Sequence, residues 1–169
     1  MAQPAIDTTV GGASANSYCT RAEADSYHDQ HLYGDTWKSA EAYKKDMALI
    51  WATRLLDEQV EWKGERSTRD QALRWPRWYV YDRDGYALAT DAIPTFLKNA
   101  TAELARYLLT EDRTAERSYG IKSVQADVVS VEFNPADQKP ILPQSVRTMV
   151  EAYGTVTGPG SGYAKLLRA

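Results

Sequence analysis

The chain reads as mainly α: a small helical bundle with a β-strand or hairpin excursion and extended N- and C-terminal arms. Three observations lead there. Two long segments repeat apolar residues at steps of three and four, which is the spacing of one helix face. Only the stretch 128–133 is rich in β-favouring side chains. Glycine and proline gather between these segments and towards the two ends. Taken in order, residues 1–17 hold Gly11, Gly12, Ser14 and Asn16 without a periodic face, so they form an N-terminal arm, extended or mobile. Residues 18–154 form the helical domain, with its β excursion around 119–134.

Thr20 with Glu23 three positions on is a capping box that starts the first helix. That helix is expected to run to Leu32 and stop near Gly34 in a left-handed turn. Ser39 caps the next and central helix, whose stripe is Tyr43, Met47, Ile50, Trp51, Arg54 and Leu55, with Lys44, Lys45, Asp57 and Glu58 mostly off it. Asp84-Gly85 signals a turn. Pro94 occupies a first helical position, followed by the stripe Phe96, Leu97, Ala100, Leu104, Tyr107 and Leu108, ending near Thr110. The charged run 111–117 is its solvated end or the next loop. Val129, Val131 and Phe133 alternate with Ser130 and Glu132, and Val128 breaks the alternation. This strand pairs either with residues 119–126 as a hairpin or with another chain. Pro140 and Pro143 turn into a short fourth helix carrying Val146, Met149, Val150 and Tyr153, closed by Gly154. Residues 155–169 place Gly158, Gly160 and Gly162 around Pro159, then an apolar and cationic tip, which reads as an arm reaching a partner.

A chain of 169 residues fits one domain. The single cysteine, Cys19, leaves no internal disulfide and no cysteine-built zinc site. Residues 1–15 lack the basic and apolar regions of a signal peptide, and no apolar run spans a membrane. With 20 basic and 23 acidic side chains the net charge is -3, against the cationic surplus of dedicated duplex-DNA binders. His28 and His31, near Asp25 and Asp29, have helical ligand spacing but no third ligand, so they read as a solvated helix face. Carboxylate pairs stand in no recognisable frame, no nucleophile elbow or phosphate loop is present, and Cys19 reads as a structural thiol. No enzyme, metal or cofactor is expected.

The segment 62–83 carries three of the five tryptophans: Trp62-Lys63-Gly64-Glu65-Arg66, then Gln71-Ala72-Leu73-Arg74-Trp75-Pro76-Arg77-Trp78-Tyr79. Arg66, Arg69, Arg74, Arg77 and Arg83 interleave with Trp75, Trp78, Tyr79 and Tyr81. Such a pattern can hold single-stranded nucleic acid by stacking and phosphate neutralisation. Equally, the tryptophans can pack the loop onto the helices or serve a protein interface. Packing and interface carry the greater weight.

These residues, with Asn16-Ser17-Tyr18, Ala22-Glu23-Ala24-Asp25-Ser26-Tyr27, Trp37, Ala48-Leu49-Ile50-Trp51-Ala52-Thr53 and Ile93-Pro94 leading to Ala100-Thr101-Ala102-Glu103-Leu104-Ala105, carry a family likeness over most of 16–110. The chain resembles tailed-phage head-completion proteins, the head-to-tail adaptors or connectors, some of whose members are labelled DnaT-like single-stranded DNA-binding proteins. One departure is that a glycine expected soon after Trp-Pro-Arg comes only at Gly85. The resemblance implies a virion protein, made in the host cytoplasm, that forms a homo-oligomeric ring, commonly a dodecamer, under the portal protein. The ring extends the DNA channel without sequence-specific binding and offers a platform to tail or nozzle proteins. It implies a motif loop of Trp62, Gly64, Arg66, Gln71, Leu73, Trp75, Pro76 and Arg77, and inter-subunit pairing through Val128, Val129, Val131 and Phe133. Tyr163, Lys165, Leu166, Leu167 and Arg168 would form a portal-docking arm. The alternative is a single-stranded DNA-binding module acting in replication, using Trp75, Trp78, Arg74 and Arg77.

Overall fold

The computed structural model describes residues 5–115, 123–126, 129–132 and 140–157. Among the described residues five helices dominate: α1 (Arg21–Asp29), α2 (Asp35–Lys38), α3 (Ala42–Gln59), α4 (Thr95–Leu108) and α5 (Gln144–Val150). Among the same residues six short strands pair two by two: β1 (Val60–Trp62) with β6 (Gly154–Val156), β2 (Glu65–Arg66) with β3 (Arg77–Trp78), and β4 (Ser123–Ala126) with β5 (Val129–Glu132), all antiparallel. The mainly α reading with a strand hairpin is the observed fold. Strands β1, β2, β3 and β6 are too short for any alternation to reveal them.

Thr20 caps α1 as expected: its hydroxyl accepts from the Glu23 amide while the Glu23 carboxylate accepts from the Thr20 amide. The helix stops three residues before Leu32, and Gly34 is right-handed at φ -82°. Glycine is needed there for space, because a Cβ would lie 2.6 Å from the His28 carbonyl oxygen. The one-turn helix α2 follows, pinned by the fully buried Trp37, whose indole N–H donates to Asp25 at 2.8 Å. Ser39 therefore ends α2 rather than starting α3, which begins after Glu41.

The central helix is correctly located but turned. Its buried residues are Ala48, Leu49, Ala52, Thr53, Leu55 and Leu56, while Tyr43, Met47 and Trp51 stand exposed. The stripe is displaced by one residue, about 100° around the axis. Size explains the error: α3 packs on α4, whose inner face holds Ala100, Thr101, Ala102 and Ala105 beside Leu97 and Leu104. The small residues of both helices share the inner face with Leu49, Leu55 and Leu56, while Tyr43, Met47 and Trp51 are turned outwards.

Pro94 is the N-cap of α4, one place earlier than expected, and the helix ends at Leu108. Arg113, expected in a solvated run, is 9% exposed and donates to the Pro140 and Ile141 carbonyls, tying this loop to the approach of α5. Val146 and Val150 are buried from α5 as expected. Gly154 does not close a domain; it opens β6, where a Cβ would meet Val60 and the Glu61 carbonyl at 2.6 and 2.9 Å. Thr155 and Val156, expected in the C-terminal arm, thus belong to the body. Residues 5–17 contain no helix or strand but are fastened: Asn16 bonds Asp7 and Ala5, and the Ala72 amide donates to the Gly12 carbonyl.

Strand 129–132 takes the hairpin option, Val129 opposite Ala126 and Val131 opposite Val124. Val128 and Phe133 lie outside the described residues, as do Tyr163, Lys165, Leu166, Leu167 and Arg168. Among the described residues no further strand joins this hairpin.

Candidate functional site

The Trp/Arg segment turns back on itself through β2 and β3 after the sharp bend at Gly64, φ +69°. Only glycine fits there, since a Cβ would collide with the Trp78 carbonyl oxygen. The Trp75–Pro76 peptide is cis. Beyond the bend, Arg77 is 8% exposed and its guanidinium is spent on backbone. It donates to the carbonyls of Lys63 (2.6 Å), Gly64 (2.5 Å), Arg74 (3.1 Å) and Trp62 (3.4 Å). A planar fork of donors is suited to this, whereas a lysine ammonium could not reach all four acceptors. Burial lowers the Arg77 pKa from its ordinary value.

Gln71 closes the other side of the loop. It is 3% exposed; its side-chain oxygen accepts from the Thr68 amide, and its amide nitrogen donates to the Leu73 and Pro76 carbonyls. Arg66, exposed, donates to the Gln71 carbonyl, and Leu73 packs against the core. Trp75, 1% exposed, meets Trp62 and Phe96 edge-to-face, both at 5.5 Å between centroids. Phe96 in turn stacks on Tyr153 at 3.8 Å. One aromatic cluster therefore joins the loop, β1, the start of α4 and the turn before β6. Trp75 Nε1 is buried without a hydrogen-bond partner.

Asp57, near the end of α3, was not singled out by the sequence, because an acid off a helix stripe carries no signal. Its carboxylate accepts from the Tyr18 hydroxyl (2.5 Å), the Trp62 indole N–H (3.3 Å) and the Arg74 amide (3.0 Å). Burial raises its pKa, against the lowering effect of those donors. Tyr18 is pushed well above the ordinary tyrosine value, chiefly by burial and then by the Asp57 charge.

All eight motif residues thus converge on one structural lock. Of the residues named for DNA binding, Trp75 and Arg77 are inside it, and Arg74 and Trp78 remain on the surface. Trp78 (47% exposed) leads into an outward rim with Tyr79 (71%), Tyr81 (55%) and Tyr86 (73%). Tyr79 is held at φ +60°, and Asp82 closes the turn by accepting from the Asp84 and Tyr86 amides. Beside the lock, a cleft of about 470 Å³ sets Asp57, Glu58 and Glu61 against Arg74 and Arg77, with no cationic surplus for a phosphate.

The histidines differ from expectation. His28 is fully buried, its Nε2 3.0 Å from the Ala102 carbonyl oxygen, because α1 packs on the small residues of α4. His31 lies 3.6 Å from Glu103, itself 2% exposed and held by Arg106 at 2.6 Å. Among the described residues no group of three potential ligands could hold a metal ion. The Cys19 thiol is buried and its pKa is pushed up to about 12 by that burial. No helix among the described residues is long and apolar enough to cross a membrane.

No curated protein and no solved structure matches the chain. A family model described as "Putative DnaT-like ssDNA binding protein" matches residues 5–169. That span takes in the lock, the rim, the hairpin and the C-terminal segment, and the chain belongs to this DnaT-like family.

Proposed function

We propose that the protein is a structural subunit, the head-to-tail adaptor of a tailed-phage virion, which assembles as a ring under the portal and extends the DNA channel. The observation that carries this reading is the fate of the motif arginine: all its bonds go to backbone carbonyls of its own loop, so the Trp-Pro-Arg segment builds a scaffold. The likeness of residues 16–110 to head-completion proteins gives that scaffold its setting. Two further features suit a ring. The β4–β5 hairpin has open edges among the described residues, which a neighbour can extend by strand addition. A net charge of -3 suits a channel that passes DNA without gripping it. The proposal contains no catalytic step and no cofactor. Electron microscopy of the purified protein mixed with the cognate portal tests it: rings seated on portal particles are expected, and portal particles left bare at saturating protein contradict it.

The second reading, single-stranded DNA binding, is favoured by the family description and by one observation, the exposed aromatic rim of Trp78, Tyr79, Tyr81 and Tyr86, with the exposed Arg74 and Arg83 within a few residues of it in the chain. Stacking there would quench Trp78 fluorescence in a salt-dependent titration with oligonucleotide. No quenching at low salt sets this reading aside.

A further inference from the structure

His31 stands where the chain turns from α1 into α2, and its ring nitrogens are engaged in different ways. Nδ1 accepts the Tyr33 amide N–H at 3.0 Å, so it carries no proton. The neutral ring therefore bears its proton on Nε2, the nitrogen 3.6 Å from the Glu103 carboxylate of α4. We propose that His31 is a proton-operated latch: neutral, it holds the Tyr33 amide and with it the α1–α2 turn, and protonated it releases that amide and tightens on Glu103.

The switch is a conflict of hydrogen-bond roles. A second proton can enter only at Nδ1, and an imidazolium has no acceptor. The Tyr33 N–H then faces another N–H and must turn to water. In exchange the charged ring gains a full attraction to Glu103, whose other oxygen is held by Arg106 at 2.6 Å. Glu103 is 2% exposed, so water screens that attraction less than on an open surface. The proton has access, since His31 lines a polar pocket of about 420 Å³ between α1 and α4.

The surroundings leave His31 as the group that switches. On α1 it meets Tyr27 and His28, ring centroids 6.2 and 6.0 Å away, and across the pocket Glu23, itself bound to Lys98 of α4. Besides Glu103 and Arg106 on α4, Tyr33 lies at 6.3 Å between centroids, and α2 brings Asp35 and Lys38, the latter paired with Asp29. From α5 the uncharged Ser145 reaches Glu103 at 3.5 Å. Histidine is the side chain whose charge changes between about pH 5 and 8. His28, by contrast, is fully buried with its Nε2 on the Ala102 carbonyl, and burial lowers its pKa. The turn that His31 fastens carries Leu32 (83% exposed) and Tyr33 (72%), so the latch governs how two outward apolar side chains are presented. It is independent of which reading of the protein's function holds.

Nuclear magnetic resonance of the full-length chain tests it. The sequence holds two histidines, so the His31→Gln variant tells the ring signals of His31 from those of His28. As the wild-type His31 ring takes up its proton, the Tyr33 amide signal should shift with the same midpoint. Its exchange with solvent should become roughly two- to tenfold faster than in His31→Gln at the same pH, the worth of one hydrogen bond. Glutamine keeps an acceptor and cannot titrate, so in that variant the amide signal should stay still. The His31 side chain is 25% exposed and outside the apolar core, so the variant should fold. A Tyr33 amide that stays still while His31 titrates, one that moves equally in the variant, or a His31 ring that takes up no proton while the fold holds overturns the proposal.

Discussion

Residues 62–77 and 78–86 follow one another in the chain and look alike in composition, both mixing aromatics with arginines, yet they have opposite fates. In the first, Trp62, Trp75 and Arg77 are buried and Arg77, Gln71 and Trp62 all find partners inside the loop or on Asp57. In the second, Trp78, Tyr79, Tyr81 and Tyr86 face outwards, and the turn is held by the Asp82 carboxylate on the Asp84 and Tyr86 amides together with backbone bonds within residues 82–86. Backbone geometry separates them. The bend at Gly64 folds the first stretch over carbonyls that need a donor, while the Tyr81–Ala87 bridge turns the second away from the body. Aromatic and arginine content alone therefore does not mark a binding platform.

Substitutions should sharpen that contrast. The largest effect is expected from Trp75→Ala, which empties the centre of the aromatic cluster and should cost about 3–5 kcal/mol in urea unfolding. Trp75→Phe should cost far less, because the ring it removes carries an indole N–H without a partner.

Asp57 gives a smaller, pH-dependent effect. Its folded pKa is raised, so its contribution is fully present below the ordinary aspartate value of 3.8 and is lost as pH rises through the folded value. Asp57→Asn removes that loss, so the unfolding free energy of the variant relative to the wild type should rise with pH across the range just above 3.8. Most other shifted carboxylates, Asp7, Glu23, Asp25 and Asp112, have lowered values and act in the opposite direction, so the difference between variant and wild type is the quantity to read.

The smallest effect belongs to the rim. Tyr79→Gly relieves a left-handed tyrosine that buries little, and should change stability by no more than about 1 kcal/mol, in the stabilising direction. A large loss in thermal or urea unfolding would mean that the rim, too, is part of the lock.

How much of this was legible in the sequence follows from the same physics. The capping box at Thr20, the turn at Gly85 and the α4 stripe rest on local rules and were placed to within a residue or two. The inner face of α3 was not, because size pointed outwards and the deciding partner, the small-residue face of α4, lies some fifty residues away in the chain. His28 was misread for the same reason: a polar helix gains a buried histidine only when a distant carbonyl, that of Ala102, accepts it. The eight motif residues were named from the family resemblance, and the structure gathers them in one loop. The internal use of Arg77 was not legible, since four carbonyl acceptors are invisible in a sequence.

The most direct test of the lock is urea unfolding of Arg77→Lys, which keeps the charge and removes the fork. A scaffold role predicts a loss of about 2–3 kcal/mol, because the carbonyls gathered round the buried guanidinium are left without their donors. An unchanged unfolding midpoint would contradict it and return the Trp-Pro-Arg segment to the list of ligand-binding surfaces.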